Sequence, residues 1–449
     1  MKFFCITFIR KSAWICIFLL FGHELFAQKV TESPYSRFGV GLNRPVLFNG
    51  NFGSSGSAYA WRPSNYRPAV YDSLARSGAT FNDRNTNYIN PANPASFSNL
   101  SLTTYEAGFF SQSTRYENES QSRNFNYAGF SHIAIAFPIG NRWGAGFGIR
   151  PFSQIGYDYQ RESTLNGNPQ TFDFDGSGGI NEVFVGIGTQ ISPNFALGVN
   201  GKFLFGQKTE IRRVVYGNGF SNDFFNTLDQ NNINFNDLSV DIGLQYFKDI
   251  NRKSRIIAGV TVSPLSDIAA TQNRLIRTYE GREGFEQIKD TVFQQEENEV
   301  EFNLGSRTGF GLAFEKKGAW IVMADYTFID RDNVFIEEEV FATDEHRMSV
   351  GFENFTSQSV FGSYFKRLGY RLGAHYSNSI IRIAGEDIPE FGISFGLVLP
   401  MRKSFSTLSF SVEAGERGTI SQNLIREQFI NFHVGVTIND KWFIKRKYD

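Results

Sequence analysis

Few residues in this sequence have the types and spacing that chemistry requires. Four histidines lie beyond residue 100: His132, His346, His375 and His433. None stands in an H-x-x-x-H spacing, so no metal site is expected. The string His375-Tyr376-Ser377-Asn378 supplies a base and a nucleophile. Leu372, Ala374 and Tyr376 form one face of its alternation, so His375 and Ser377 share the other. Same-face neighbours on a strand are about 7 Å apart at Cα, beyond the hydrogen-bond reach that a nucleophile and its base need. No catalytic residue is expected, and no enzyme. Gly176-x-Gly178-Gly179 and Gly217-x-Gly219 are not followed by a helical Lys-Ser/Thr pattern. They read as loop glycines and not as phosphate cradles, and no cofactor is expected. What remains is charge on the polar face of alternating segments: Glu182, Lys202, Asp241, Asp325 and Glu413. These residues suit two roles. One is to steer a ligand carboxylate, with Lys202 as the cation. The plainer one is a charge network that stiffens a water-facing interior.

The elements that position these charges are strands. Val183, Val185, Ile187 and Ile191 alternate with Glu182, Gly186, Gly188 and Gln190. Leu238, Val240, Ile242, Leu244 and Tyr246 alternate with Asp237, Ser239, Asp241, Gly243 and Gln245. Ile430, Phe432, Val434, Val436 and Ile438 alternate with Asn431, His433, Gly435 and Thr437. Successive strand side chains point to opposite faces, so each segment has an apolar face and a small or polar one. Many reach the roughly 9–11 residues that cross a bilayer when tilted. A closed barrel satisfies every backbone group without leaving an edge in lipid. Fourteen such segments centre on residues 106, 131, 150, 185, 203, 242, 264, 308, 325, 349, 375, 394, 410 and 433. Connections alternate between short (Pro138–Asn141, Ser192–Asn194, Asp249–Lys253, Lys316–Gly318, Pro400–Lys403) and long and polar (Arg161–Gly178, Val215–Asn234, Ile276–Asn298). About a dozen residues after Asn354 sit where a short turn is expected, which leaves room for a miscount of two strands. The fold class expected is all-β: a transmembrane antiparallel barrel of about fourteen strands over residues 100–449.

Composition agrees. Aromatic residues make up 16% of the chain, with 48 Phe, and a barrel needs aromatic girdles at both interfaces. A net charge of −1 gives no sign of a nucleic-acid partner. Residues 1–28 read as a signal peptide: basic Lys2, Arg10 and Lys11, a mostly apolar Ser12 to Phe26, and Ala27 for cleavage. Gly22, His23 and Glu24 interrupt the apolar run short of the roughly 20 residues of a spanning helix. Cys5 and Cys16 both lie in that segment, so no disulfide or cysteine metal site is expected in the mature chain. Residues 29–99 do not read as barrel. They carry turn signals at Ser33-Pro34, Arg62-Pro63, Asn90-Pro91 and Asn93-Pro94. Their aromatics (Tyr35, Phe38, Phe48, Phe52, Tyr59, Trp61, Tyr66) argue for a folded plug over a disordered periplasmic leader.

Several motifs now carry a resemblance. Asn93-Pro94-Ala95-Ser96 is similar to the signature that ends the plug of the FadL family of outer-membrane long-chain fatty-acid transporters. Phe137-Pro138-Ile139 with Trp143-Gly144-Ala145-Gly146-Phe147-Gly148 resembles that family's second hairpin. Gly178-Gly179-Ile180-Asn181 resembles the entry to its fourth strand, and Tyr370-Arg371-Leu372-Gly373-Ala374-His375-Tyr376 with Ile388-Pro389-Glu390 resembles a late hairpin. Pro34-Tyr35-Ser36-Arg37-Phe38-Gly39 and Asn439-Asp440-Lys441-Trp442-Phe443 look like Bacteroidota forms. Leu304-Gly305 departs from the family's Leu-Pro. The string at His375 also resembles the His-x-Ser-Asn of outer-membrane phospholipase A, whose pair faces lipid, whereas His375 and Ser377 are expected to face the lumen.

The resemblance implies a fourteen-strand barrel plugged by its N-terminal segment, in the outer membrane of a Gram-negative cell. It implies passive uptake of long-chain fatty acids or other hydrophobic molecules, with lateral exit through the barrel wall into membrane lipid. Asn93, Pro94 and Ala95 would be the plug motif. Arg150, Pro151 and Phe152 would line the lateral gate, since proline is excluded from strand interiors except at edges and bulges. The plainer reading of Pro151 is that the third strand ends there, about ten residues above its turn. An alternative function is a non-transporting barrel subunit of a secretion or barrel-assembly complex, with protein partners docking on the N-terminal segment or the acidic stretch from Glu280 to Glu301. The fourth and fifth strands are expected to turn at Ser192–Pro193, with Glu182 directly across from Lys202 and both side chains inward.

Overall fold

The computed structural model describes residues 33–55, 59–60 and 88–440, apart from 120, 166–167, 218–223, 265–266, 283, 332–334, 338–339, 355–364, 366–367, 379–380, 384, 402–403 and 405. The expected signal peptide and the Trp442-Phe443 motif lie outside the described residues.

The alternating segments close into one antiparallel barrel of fourteen strands. They are β1 (Thr103–Glu117), β2 (Ser122–Pro138), β3 (Trp143–Leu165), β4 (Asn168–Gln190), β5 (Phe195–Tyr216) and β6 (Asn226–Asn251). β7 is the collinear pair Ser254–Ser263 and Asp267–Glu280, and β8 the pair Gln287–Asn303 and Ser306–Lys316. Then follow β9 (Trp320–Asp330), β10 (Glu345–Asn354), β11 (Gly369–Ser377), β12 (Glu390–Pro400), β13 (Thr407–Arg417) and β14 (Arg426–Asp440). The barrel closes where β14 pairs with β1, from Thr103↔Asp440 to Glu117↔Arg426. β10 pairs with β11 from Asn354↔Tyr370, so the segment after Asn354 joins neighbouring strands of the barrel. Along each wall strand the apolar positions, such as Val185, Leu238, Leu312 and Ile393, face outward and are exposed, as a lipid-facing band requires. Their polar alternates, such as Glu182, Asn200, Asp241 and Gln245, face inward and are buried.

The long polar stretches are largely strand among the described residues. Arg161–Gly178 is a hairpin whose arms stay paired to Leu165↔Asn168. β6 and β7 remain paired from Phe235↔Ala270 to Asn226↔Tyr279, and β7 and β8 out to Glu280↔Gln287. Only about 9–11 residues cross the bilayer, so these strands run far beyond it. Beyond the bilayer neither face has to meet lipid, so the period-2 hydropathy signal vanishes while the backbone ladder persists. That is why sequence pattern reads the ribbons as loops.

β4 and β5 turn over residues 191–194, where the Ile191 N–H donates to Phe195 O at 3.0 Å. The register is therefore two residues from the expected one. Lys202 lies across from Phe184, and Glu182 from Leu204. An even shift keeps both charged side chains inward. They meet diagonally, with Lys202 Nζ 4.0 Å from Glu182 Oε2.

Candidate functional site

The described parts of the N-terminal segment, residues 33–55, 59–60 and 88–99, lie against the inward face of the strands. They contain little regular structure: two 3-10 turns, Pro34–Arg37 and Pro94–Asn99, and a two-residue strand, Leu42–Asn43. Irregular buried backbone must find hydrogen-bond partners elsewhere, and the wall supplies them. Glu106 on β1 accepts from Ile89 N at 3.0 Å and from Asn49 N at 3.3 Å. Lys208 on β5 donates to Arg37 O at 2.8 Å and Gly39 O at 2.9 Å. Asp325 on β9 accepts from Tyr59 N at 2.9 Å. Arg371 on β11, fully buried, donates to Asn49 O at 2.6 Å and is tied to Glu353 on β10 at 3.1 Å. Tyr35 is held the same way, donating to Ile425 O at 2.6 Å and accepting from Ile425 N at 3.0 Å. Burial pushes its phenol pKa up, so it stays a neutral donor.

The Asn93, Pro94 and Ala95 motif forms a turn against the wall. The Asn93 side chain caps it, accepting from Ala95 N at 3.1 Å and donating to Tyr59 O at 2.8 Å and Leu244 O at 3.2 Å. Ala95 is fully buried. The wall makes room with inward glycines. A Cβ at Gly188 would come within 2.5 Å of Pro94 O, and one at Gly198 would overlap the Pro94 carbonyl and Ala95 N. Sequence reasoning placed Gly188 on the polar face but did not assign it the role of admitting this turn.

The predicted charges lie in two groups. Arg150 Nε and Nη2 make a bidentate pair with Glu182 at 3.0 and 3.1 Å, both side chains buried. Lys202 donates to Asp241 at 2.7 Å, and Asp241 also takes Ser263 Oγ and Arg307. Glu413 lies elsewhere, 3.9 Å from His375 Nδ1, while His375 Nε2 meets Glu390 at 3.0 Å. Ser377 Oγ donates to Glu345 at 3.1 Å and is not paired with His375. Glu106, Lys208, Arg307, Glu353 and Arg371 were not among the charges singled out in the sequence, since alternation gives the facing of a charge and not what it binds.

The wall itself is incomplete at one seam. β2 and β3 pair only from Pro138↔Gly144 to Ile133↔Ile149. Above that level β2 stays paired with β1 and β3 with β4, and the two separate. A bulge marks each margin: the β1–β2 register shifts at Ser131, and the β3–β4 register shifts between Pro151 and Ser153. The strand does not end at Pro151, as its plainer reading expects; it runs on to Leu165. Arg150, Pro151 and Phe152 thus sit where the seam opens. The vacated edge of β3 is taken by the chain's own Leu42–Asn43, paired to Gln154 and Ser153, and by Ser33, bridged to Gly156. Arg44 N donates to Phe152 O at 2.9 Å, and Ser131 Oγ to Leu47 O at 3.4 Å. Between the margins lies a cleft of about 590 Å³ lined by Tyr116, Arg123 and Phe125 on one side and Tyr157 and Tyr159 on the other, with Pro34. Inside the barrel a cavity of about 130 Å³ is lined by Lys202, Arg307, Asp325, Arg347, Tyr59 and Phe152 among others.

Comparison with known proteins places this architecture. The toluene transporter TodX of Pseudomonas putida superimposes with a TM-score of 0.52 at 13% identity, covering 88% of this chain and 99% of TodX. The toluene transporter TbuX of Ralstonia pickettii gives 0.50 at 12%, covering 87% and 99%. A Pseudomonas aeruginosa FadL homologue gives 0.53 at 8%, covering 90% and 99%. At these identities the likeness is one of fold: the barrel is that of FadL-type outer-membrane proteins. No curated protein matches the sequence. The expected resemblance to FadL transporters holds at the level of fold; the family model that matches, over residues 76–449, is that of a different family, BamG. Since that match spans most of the sequence, the chain belongs to the BamG family.

Proposed function

We propose that this protein is a barrel subunit of a barrel-assembly complex in the outer membrane, serving as a membrane-embedded docking body and not as an open conduit. The observation that carries this reading is the state of the lumen. The described parts of the N-terminal segment, residues 33–55, 59–60 and 88–99, lie within it and are gripped by buried Glu106, Lys208, Asp325 and Arg371. The cavity beside them that Lys202, Arg307, Asp325 and Arg347 line together with apolar residues is about 130 Å³, below the roughly 300–1,000 Å³ of an apolar small-molecule site. BamG membership points the same way. The test is purification of the tagged protein from native outer membranes. Stoichiometric partner proteins are expected. A barrel that purifies alone, with fatty acid or another lipid bound, sinks the reading.

A second reading, uptake of hydrophobic molecules such as long-chain fatty acids, rests on the open seam between β2 and β3. It is supported by the likeness to toluene transporters. Here Arg150, Pro151 and Phe152 border the exit, and Leu42–Asn43 closes it. Pro151→Val restores a backbone N–H at the bulge. It should slow uptake of a long-chain fatty acid while the amount of barrel in the membrane stays the same; an unchanged rate removes the gate.

A further inference from the structure

The distal part of β8, Gln287–Asn303, is the most exposed of the strands whose burial is described. Residues 287–297 are exposed on both faces. One edge pairs with the distal part of β7. Among the described residues no strand pairs with its other edge, and with residues 287–297 exposed its row of backbone N–H and C=O groups faces water beyond the membrane. Apolar side chains accompany it: Phe285 is 84% exposed and Val292 62%. Such an edge is a template for another strand. Three register irregularities, between Ile288 and Asp290, Thr291 and Phe293, and Gln295 and Asn298, bend the strand.

Charge selects the occupant. Between residues 286 and 303 stand Glu286, Asp290, Glu296, Glu297, Glu299 and Glu301 against one Lys289. Lys289 is itself paired with Glu280 at 2.8 Å. Like charges directly opposite destabilise a strand pair, so a second copy of this edge is rejected. A strand bearing Lys and Arg is matched.

We propose that the free edge of Gln287–Asn303 receives, by β-strand addition, a basic extended segment of a partner protein at the long-ribbon end of the barrel. Backbone hydrogen bonds along the edge would hold it, and the glutamates and Val292 would select it. This rests on the subunit reading above.

The test uses the full chain, tagged and isolated from native outer membranes with its partners. A photo-reactive residue replaces Val292, with one at lipid-facing Val240 as control. The expected result is an adduct at position 292, absent at 240, to a partner peptide that carries Lys or Arg. The triple variant E296K, E299K and E301K should lower it roughly tenfold, about 1.4 kcal/mol, at unchanged heat-modifiable barrel. Gln294→Pro and Gln295→Pro add a backbone test: adjacent N–H groups point to opposite edges, so the variant that removes the outward N–H should lose the adduct with the barrel intact. Partners that co-purify while position 292 labels only lipopolysaccharide, or labels a partner regardless of charge, overturn the edge proposal and leave the subunit reading standing. A protein without stoichiometric partners overturns both.

Discussion

Arg371 shows what an inward charge does in this barrel. Its guanidinium is fully buried between Glu353 and the carbonyls of Asn49 and Phe52. Removing one member of a buried ion pair strands the other charge, at a cost of about 3–5 kcal/mol, whereas replacing both by apolar groups is often neutral. Arg371→Met should therefore destabilise the barrel by about that amount. The double variant with Glu353→Leu should recover most of the loss. Urea unfolding in detergent, read by the heat-modifiable gel shift, measures both. Equal loss in the single and double variants would show that the contacts to Asn49 and Phe52 matter more than the ion pair. The inward direction of Glu182, Lys202, Asp241 and Asp325 was legible from alternation alone. Their partners were not, because a register error of two residues leaves facing unchanged and exchanges every cross-strand neighbour. Glu182 was expected opposite Lys202, yet it pairs with Arg150, a residue read as lining a gate.

At the scale of elements, the fourteen strands were legible because lipid imposes one apolar face on each. Their extents were not, since lipid no longer constrains the ribbons beyond the membrane and polar sequence there pairs without alternation. Pro151 was legible as a breaker, and the bulge between Pro151 and Ser153 lies where it stands. That β3 continues to Leu165, and that its vacated edge is taken by Leu42–Asn43, required the tertiary structure. This two-residue ladder offers a direct check. Leu42 and Gln154 are antiparallel partners, and facing positions in such a pair have Cα atoms about 4.5–5.5 Å apart, within disulfide range. The only native cysteines, Cys5 and Cys16, lie in the expected leader. Leu42→Cys with Gln154→Cys should then form a bond during export, visible as loss of thiol alkylation, while Leu42→Cys with Asn181→Cys should not. Free thiols in the first pair would mean that the seam is not closed by this segment.

For the whole molecule the question is how far the barrel depends on what fills it. Every neighbouring pair of its fourteen strands, β14 to β1 included, is joined by an antiparallel ladder that owes nothing to residues 33–99. The N-terminal segment adds one short ladder at the seam and a set of wall-to-backbone hydrogen bonds. If the segment is lost, Glu106, Lys208 and Asp325 exchange those bonds for water, which a polar barrel interior admits. The outward apolar band is untouched. Deletion of residues 30–90 should therefore leave a barrel that assembles and shifts on heating. Its lumen would keep the turn at Pro94–Asn99, because Gly188 and Gly198 are shaped to it, but would lose the backbone seated on β1, β5 and β11. Planar-bilayer recording should find the full chain nearly closed to small ions and the deleted chain conducting. Equal conductance in the two would show that the segment does not occlude the pore. Absence of the deleted barrel from the membrane would show instead that the segment takes part in assembly.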